Sequence, residues 1–180
     1  MEYLVTYASK YGSTERYACW IAAALDCPCR EVRQVGEEDL ARCGVLIHGG
    51  GLYAGGLSGI RLVTDHAAAL AGKPVVVFSC GLADPADGVN VERIEAGVSR
   101  TLGPALAERV RQFHFRGAID YGRLNPVHRA MMAMLHKSAL KKGYENLRDE
   151  DRLMVDTYGQ QVDFTDEGAV VPLVEYVRSL

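Results

Sequence analysis

Tyr3-Leu4-Val5-Thr6-Tyr7-Ala8-Ser9-Lys10-Tyr11-Gly12-Ser13-Thr14-Glu15 carries more information than any other stretch of this chain. An apolar run leads into a hydroxyl-rich turn, and the turn leads into a helical pattern. Strand, loop and helix in that order make an anion cradle. Loop amides and the first helical turn point at one spot, where the helix N-terminus carries about half a positive charge. Ser9, Ser13 and Thr14 add hydroxyl donors, and Gly12 permits a left-handed backbone. The Gly-Lys-Ser/Thr ending of nucleotide-triphosphatase loops is absent, and one glycine does not make a dinucleotide fingerprint. The stretch suits a terminal phosphate monoester held by neutral donors. Lys10, the loop's one cation, either pairs with that phosphate or is a solvated surface lysine. The alternative for the whole stretch is an ordinary strand–helix turn with a threonine cap.

Outward from this turn the chain alternates. Residues 3–8 read as a central parallel strand, apolar nearly throughout. Tyr17, Ala18, Ile21, Ala22 and Leu25 fall on one helical face over Thr14–Leu25, with Trp20 beside it. Cys29–Gln34 alternates and is charged, as at a sheet edge. Gly36–Arg42 is a short helix with acids in its first turn. Cys43–His48 is a buried strand running into a loop, Gly49–Gly56, in which five of eight residues are glycine. So many glycines weaken a backbone, and they suit a close approach or a peptide flip. Ile60, Val63, Ala67 and Leu70 mark a helix. Val75–Cys80 is the most continuously apolar strand and ends in a polar turn, Ser79–Pro85. A helix follows from about Val91 to Leu102, and Arg111–Ala118 reads as the other edge strand. The last helix, Gly168–Leu180, carries Val170, Val171, Val174 and Val177 as its stripe.

Alternation of this kind specifies a parallel sheet with helices on both faces and right-handed crossovers. The expected architecture is α/β, a three-layer sandwich around five parallel strands in the order 2-1-3-4-5. The turns Ser9–Thr14, Gly49–Gly56 and Ser79–Asp84 then meet at one rim, outside the carboxyl ends of neighbouring strands. The first two flank the switch point where open sheets bind ligands.

The composition sets bounds. The chain has 180 residues, 48% hydrophobic and 24% charged, with a net charge of −3. These are globular values that do not favour nucleic acid. One domain over 1–180 is the default for this length. No apolar run approaches the ~20 residues of a membrane span, and the N-terminus shows no secretory leader. Five cysteines at scattered positions argue against a disulfide framework and for a cytoplasmic setting. Cys27-Pro28-Cys29 has no further ligands nearby, so no metal site is expected. Cys80 reads as a buried small residue.

Ser-x-x-Gly-x-Thr directly after the first strand resembles the phosphate loop of flavodoxin-like proteins, which bind flavin mononucleotide (FMN). The resemblance covers residues 1–119 and implies the flavodoxin-like fold. It implies cofactor-binding residues in three groups. Ser9, Lys10, Tyr11, Gly12, Ser13 and Thr14 take the phosphate. Gly50, Gly51, Leu52, Tyr53 and Ala54, with Ser79, Cys80, Gly81, Leu82 and Ala83, hold the isoalloxazine. Tyr53, the only aromatic of the second loop, would cover one flavin face, a contact worth roughly 1 kcal/mol beyond area burial. The glycines beside it would let a carbonyl turn toward flavin N5, as in that family. The third loop has no aromatic, so Leu82 or Ala83 covers the other face or leaves it open to a substrate. Asp84 and Asp87 place negative charge near it.

The tail exceeds what a simple carrier needs. About residues 120–166 form an extra segment before the C-terminal helix. Asn125 caps a helix begun by Pro126, with Val127, Met131, Met134, Leu135 and Ala139 as its apolar stripe. From Tyr121 to Lys142 the charge is +5 with no acid, which leaves −8 for the rest. Such a basic, Met-rich helix either touches an anionic membrane or an acidic, flat, apolar ligand through residues 123–142, or packs as a core helix with a solvated face. Gly143–Asp166 is acidic and reads as irregular. Gly117-Ala118-x-x-Tyr121, the Arg–Met-rich helix and Asp156-Thr157 before the last helix resemble the menaquinone-dependent protoporphyrinogen oxidases. Those are flavodoxin-like enzymes that pass electrons from a porphyrinogen to a quinone. Leu52 stands where that family carries arginine.

The reading is an FMN-dependent oxidoreductase moving electrons between the flavin and a planar, quinone-type or porphyrinogen partner. It would be cytoplasmic, or peripheral at the inner face of a membrane. No side chain is named as a general acid or base; His48, His66, His114, His128 and His136 read as structural or solvated. A flavodoxin-type electron carrier with a redox-protein partner is the alternative, and a cofactor-free regulatory module a third.

Overall fold

The computed structural model describes residues 2–53 and 56–180. Strands β1 (Tyr3–Ala8), β2 (Cys29–Glu31), β3 (Val45–Tyr53), β4 (Gly56–Leu57), β5 (Val75–Gly81) and β6 (Val110–Arg116) form one sheet. The order is β2-β1-β3-β5-β6, with every pair along that path parallel and β4 folded back antiparallel on β3. Among the five long strands this is the 2-1-3-4-5 order, and the molecule is an α/β flavodoxin-like three-layer sandwich.

Side-chain alternation along the strands builds two cores. Val5, Ile47, Val76 and Phe78 point to one face, beneath α1 (Ser13–Leu25) and α8 (Val171–Arg178). Leu4, Leu46, Val75 and Val77 point to the other, beneath α2 (Glu37–Arg42), α3 (Arg61–Asp65) and α4 (Gly88–Leu102). A four-residue helix, α5 (Pro104–Ala107), leads to β6. The central strands are buried on both faces, so they read as continuous apolar runs. Thr6, His48 and Ser79 break that run. Thr6 and His48 are neighbours in register and both fully shielded. His48 Nε2 lies 3.2 Å from Ser58 O. A carbonyl only accepts, so Nε2 holds the proton and Nδ1 accepts from Thr6 Oγ1 at 3.0 Å. Burial pushes the His48 pKa down to about 4.

Several boundaries differ from expectation. β2 stops at Glu31 and Val32–Gln34 coil into a 3-10 turn. α4 starts at Gly88, because Asp87 Oδ1 accepts from Val89 N. α3 spans five residues instead of running from Ile60 to Leu70. The largest difference is β3, which runs through the expected glycine loop to Tyr53. Gly49 sits beside Phe78 in the ladder, and a Cβ there would enter the Phe78 ring. At Gly50 a Cβ would meet Ser58 O and lie 2.6 Å from Leu57 Cγ. These glycines make room for side chains crossing the sheet.

The segment after β6 is ordered, contrary to the irregular reading of 143–166. It holds β7 (Ala118–Asp120), α6 (Pro126–Lys142), α7 (Asp149–Asp156) and β8 (Gln161–Asp163). β7 and β8 pair antiparallel as a second, two-stranded sheet. Tyr121, Leu124 and Met132 form its small core, with Ile119, Met154 and Tyr158 packed around them. The stripe expected on α6 holds in part, with Ala139 buried and Met131 half-buried. Met132 and Ala139 are buried, while Val127 is 73% and Met134 68% exposed. The packing side is set by Tyr121 and Leu124, which the helix's own periodicity does not reveal. In the C-terminal helix Val171 is exposed, and Leu173 takes its place in the core. One hydroxyl ties the whole segment to α1: Tyr17 Oη donates to Arg116 O at 2.8 Å and accepts from Asp166 N at 3.0 Å.

Candidate functional site

The turn after β1 leaves the start of α1 open. Gly12 takes φ +96°, the left-handed region, and Gly12 N donates to Ser9 Oγ at 3.1 Å. No side chain caps α1. The threonine-cap alternative therefore fails: Thr14 lies inside the helix, buried. The first amides of α1 have no intrahelical acceptor. Lys10 is exposed, with Nζ 6.0 Å from the Tyr11 ring centroid.

A cavity of about 120 Å³ opens beside this turn, walled by parts of all three expected loops. Ser9, Tyr11, Ser13 and Thr14 come from the first, Gly51, Leu52 and Tyr53 from the second, and Cys80, Gly81 and Leu82 from the third. Five of the expected residues are placed otherwise. Lys10 and Gly12 do not line the cavity, nor does Gly50, which packs under Ser58 and Leu57. Ser79 Oγ turns to His114 Nδ1 at 2.8 Å. Ala83 lines the neighbouring cavity. Ala54 lies outside the described residues.

The extra segment supplies the rest of the wall: Gly117, Ala118, Ile119, Leu124, His128, Met131 and Met132. Sequence reasoning named none of the seven as cofactor-binding. A cue was present, in that Asn125-Pro126 starts a helix immediately after the edge strand. Asn125 Oδ1 accepts from His128 N at 2.8 Å, which fixes the first turn of α6 over the rim. Ser13 Oγ accepts from Ala118 N at 3.1 Å, binding the segment to the phosphate turn itself. Gly117 packs against Cys80, its Cβ position 2.9 Å from Cys80 Sγ.

The site is electrically quiet. Burial pushes the Cys80 thiol and the Tyr53 phenol each up to about 12, so both stay neutral. Asp84 pairs with Arg116 (Oδ2 to Nη1, 3.2 Å), and Asp87 caps α4, so neither carboxylate stands open toward the cavity. Among the described residues no group of three histidines, cysteines or acids can hold a metal ion. No helix there is long and apolar enough to cross a membrane.

A second cavity of about 470 Å³ adjoins the first. Leu52, Gly81, Leu82, Ile119, Met131 and Met132 line both. Its far wall is α7 and β8, with Leu153, Met154, Val162 and Phe164. Arg93 and Asp151 are its charged residues.

An open parallel sheet with an uncapped helix at its switch point, and loops converging outside its carboxyl edge, defines a doubly wound nucleotide-binding protein. The family model of the Flavodoxin domain matches residues 4–146, and the chain belongs to that family. Its cofactor is FMN. No curated protein matches the chain. Among solved structures, a flavodoxin from the domain Archaea is 14% identical with a TM-score of 0.46, covering 87% of this chain and 95% of that one. The WrbA-like flavodoxin from Agrobacterium tumefaciens is 19% identical with a TM-score of 0.43, covering 63% and 82%. Oxidised flavodoxin 2 from Bacillus cereus is 25% identical with a TM-score of 0.40, covering 63% and 84%.

The residues present fit the cofactor. A phosphate would lie at the bare start of α1, among Ser9, Ser13 and Thr14, in a loop without carboxylates. The first cavity, with His128 stacked on Tyr53, is smaller than the roughly 300–1,000 Å³ of ligand pockets.

Proposed function

We propose that the protein is an FMN-dependent oxidoreductase exchanging electrons with a neutral, planar, apolar partner of the quinone class, held in the 470 Å³ cavity. When bound, FMN supplies the redox chemistry. The chain positions it, keeps water from the ring end and sets the partner beside it. One observation carries this reading: the second cavity shares a wall with the first, so its occupant abuts the cofactor. A carrier that meets a protein partner at its rim needs no such room.

The lining favours a neutral ring. Leucine, isoleucine, methionine, valine and phenylalanine make most of it, and its two charged residues have opposite sign. A porphyrinogen brings carboxylates that want cations. Leu52 supplies none, so protoporphyrinogen oxidation ranks second.

The test is reoxidation of the chemically reduced, FMN-loaded protein by a soluble naphthoquinone. Saturable reoxidation is expected. Met154→Trp, which fills the cavity away from the phosphate turn, should slow it about tenfold, or ~1.4 kcal/mol of barrier, with FMN affinity unchanged. Equal rates in both proteins would remove the cavity from the reaction. Turnover of a porphyrinogen would restore the second reading.

A further inference from the structure

We infer that His128, on the extra segment, holds the ring face of Tyr53 that the flavin takes, so that FMN and the His128 imidazole compete for one place. The Cε2–Oη side of Tyr53 lies close to Gly51, where a Cβ would stand 2.8 Å from Tyr53 Cε2 and 3.3 Å from Cζ and Oη. One face carries the His128 ring, stacked at 4.9 Å between centroids with 24° between planes. That face is not left for an isoalloxazine. Tyr11 closes the group edge-on, 6.3 Å from Tyr53 and 5.6 Å from His128.

The imidazole is held by contacts that a flavin can replace. Tyr11 Oη lies 2.8 Å from His128 Nδ1, and the remainder is the stack itself. The backbone anchor is separate, because the Asn125 cap binds His128 N. The side chain can therefore swing out while α6 stays capped. The flavin offers a larger π-surface than imidazole, and offset stacking scales with that surface. His128 thus sets what the ring must displace before it binds, and links cofactor occupancy to the helix that walls both cavities. This inference rests on FMN as cofactor and is independent of the quinone.

The experiment is a fluorescence-quenching titration with FMN and with riboflavin, which carries the ring but no phosphate. His128→Ala should bind both about fivefold more tightly, equivalent to ~1 kcal/mol. His128→Phe, which keeps a stacked ring, should bind both no more tightly than the wild type. In the wild-type protein the His128 imidazole resonance should lose its upfield ring-current shift as FMN is added. Unchanged or weaker binding by a folded His128→Ala overturns the competition, as does a resonance that stays in place at saturation. Tighter binding of FMN without riboflavin overturns it too, since the effect would then lie at the phosphate. If neither the wild type nor His128→Ala binds FMN, the competition falls together with the cofactor. FMN binding without quinone turnover removes the proposed reaction alone.

Discussion

Phe78 and Met132 lie in differently built halves of the molecule. Phe78 is fully shielded in a continuous layer with Val5, Tyr17, Ile47 and Leu173, spanning three strands and two helices. Met132 has two buried companions, Tyr121 and Leu124, and then a ring of half-buried residues. The sheet is held by area removed from water, at about 25 cal/mol per Å². The extra segment is held by discrete ties: Ser13 to Ala118, Tyr11 to His128, Arg16 to Asp163 at 2.8 Å, and Arg148 to Asn90 at 2.8 Å. Each is worth about 1 kcal/mol net, and the exposed Arg16–Asp163 pair less. Elements held this way open locally at lower free energy than the whole fold. The site lies on the seam, with a firm floor and a wall able to move.

The strongest attempt to break this contrast is Gly49→Val. The new side chain would enter the Phe78 ring, and overpacking there should cost about 3 kcal/mol or more. Urea denaturation reads it; a loss below about 1 kcal/mol would mean the sheet yields as easily as the segment.

Acid separates the halves next. The folded-state pKa of His48, about 4, lies below its ordinary 6.5. The unfolded chain therefore binds a proton first, and stability falls as pH drops from 6.5 toward 4. By about pH 5 the loss should be ~2 kcal/mol at ~1.36 kcal/mol per pH unit. His48→Gln should flatten that slope. Asp163 behaves differently. Hydrogen bonds from Arg16 and Thr165 hold its pKa down at about 2, so its contribution persists above about pH 4 and fades only as pH falls toward 2. Mild acid should loosen the sheet while leaving this tie of the segment intact.

The smallest effect sharpens the contrast most. Met132→Ala should speed amide exchange in α6 and β7 about tenfold, or ~1.4 kcal/mol, from a protection already below that of β5. Equal protection of α6 and β5 before the substitution would show that the two halves unfold together.

The parts legible from sequence were those encoded locally. The alternation of apolar strands and helical stripes marked the parallel sheet with helices on both faces. Ser9–Thr14 marked the phosphate turn without reference to anything distant. What escaped was information held by partners elsewhere in the chain. Gly49 looked like a loop because Phe78, its reason for being small, is 29 positions away. The inner face of α6 was legible only in part, at Met131 and Ala139, because Tyr121 and Leu124 select it. His128 was set aside as structural or solvated, and its stacking on Tyr53 follows from folding the segment back over the rim. The acidic stretch 143–166 hid α7 and β8, since their apolar residues serve one side of a cavity and leave little periodic trace.

The single phenol of Tyr17 has a wider consequence. It clasps the chain where it leaves the last sheet strand and again where it comes home, so the two ends of the segment lie side by side. Such an appendix can be lengthened, trimmed or traded for another without disturbing the five strands beneath it. A protein built this way can change what it reacts with by re-tailoring its overhang, and keep the pedestal unaltered.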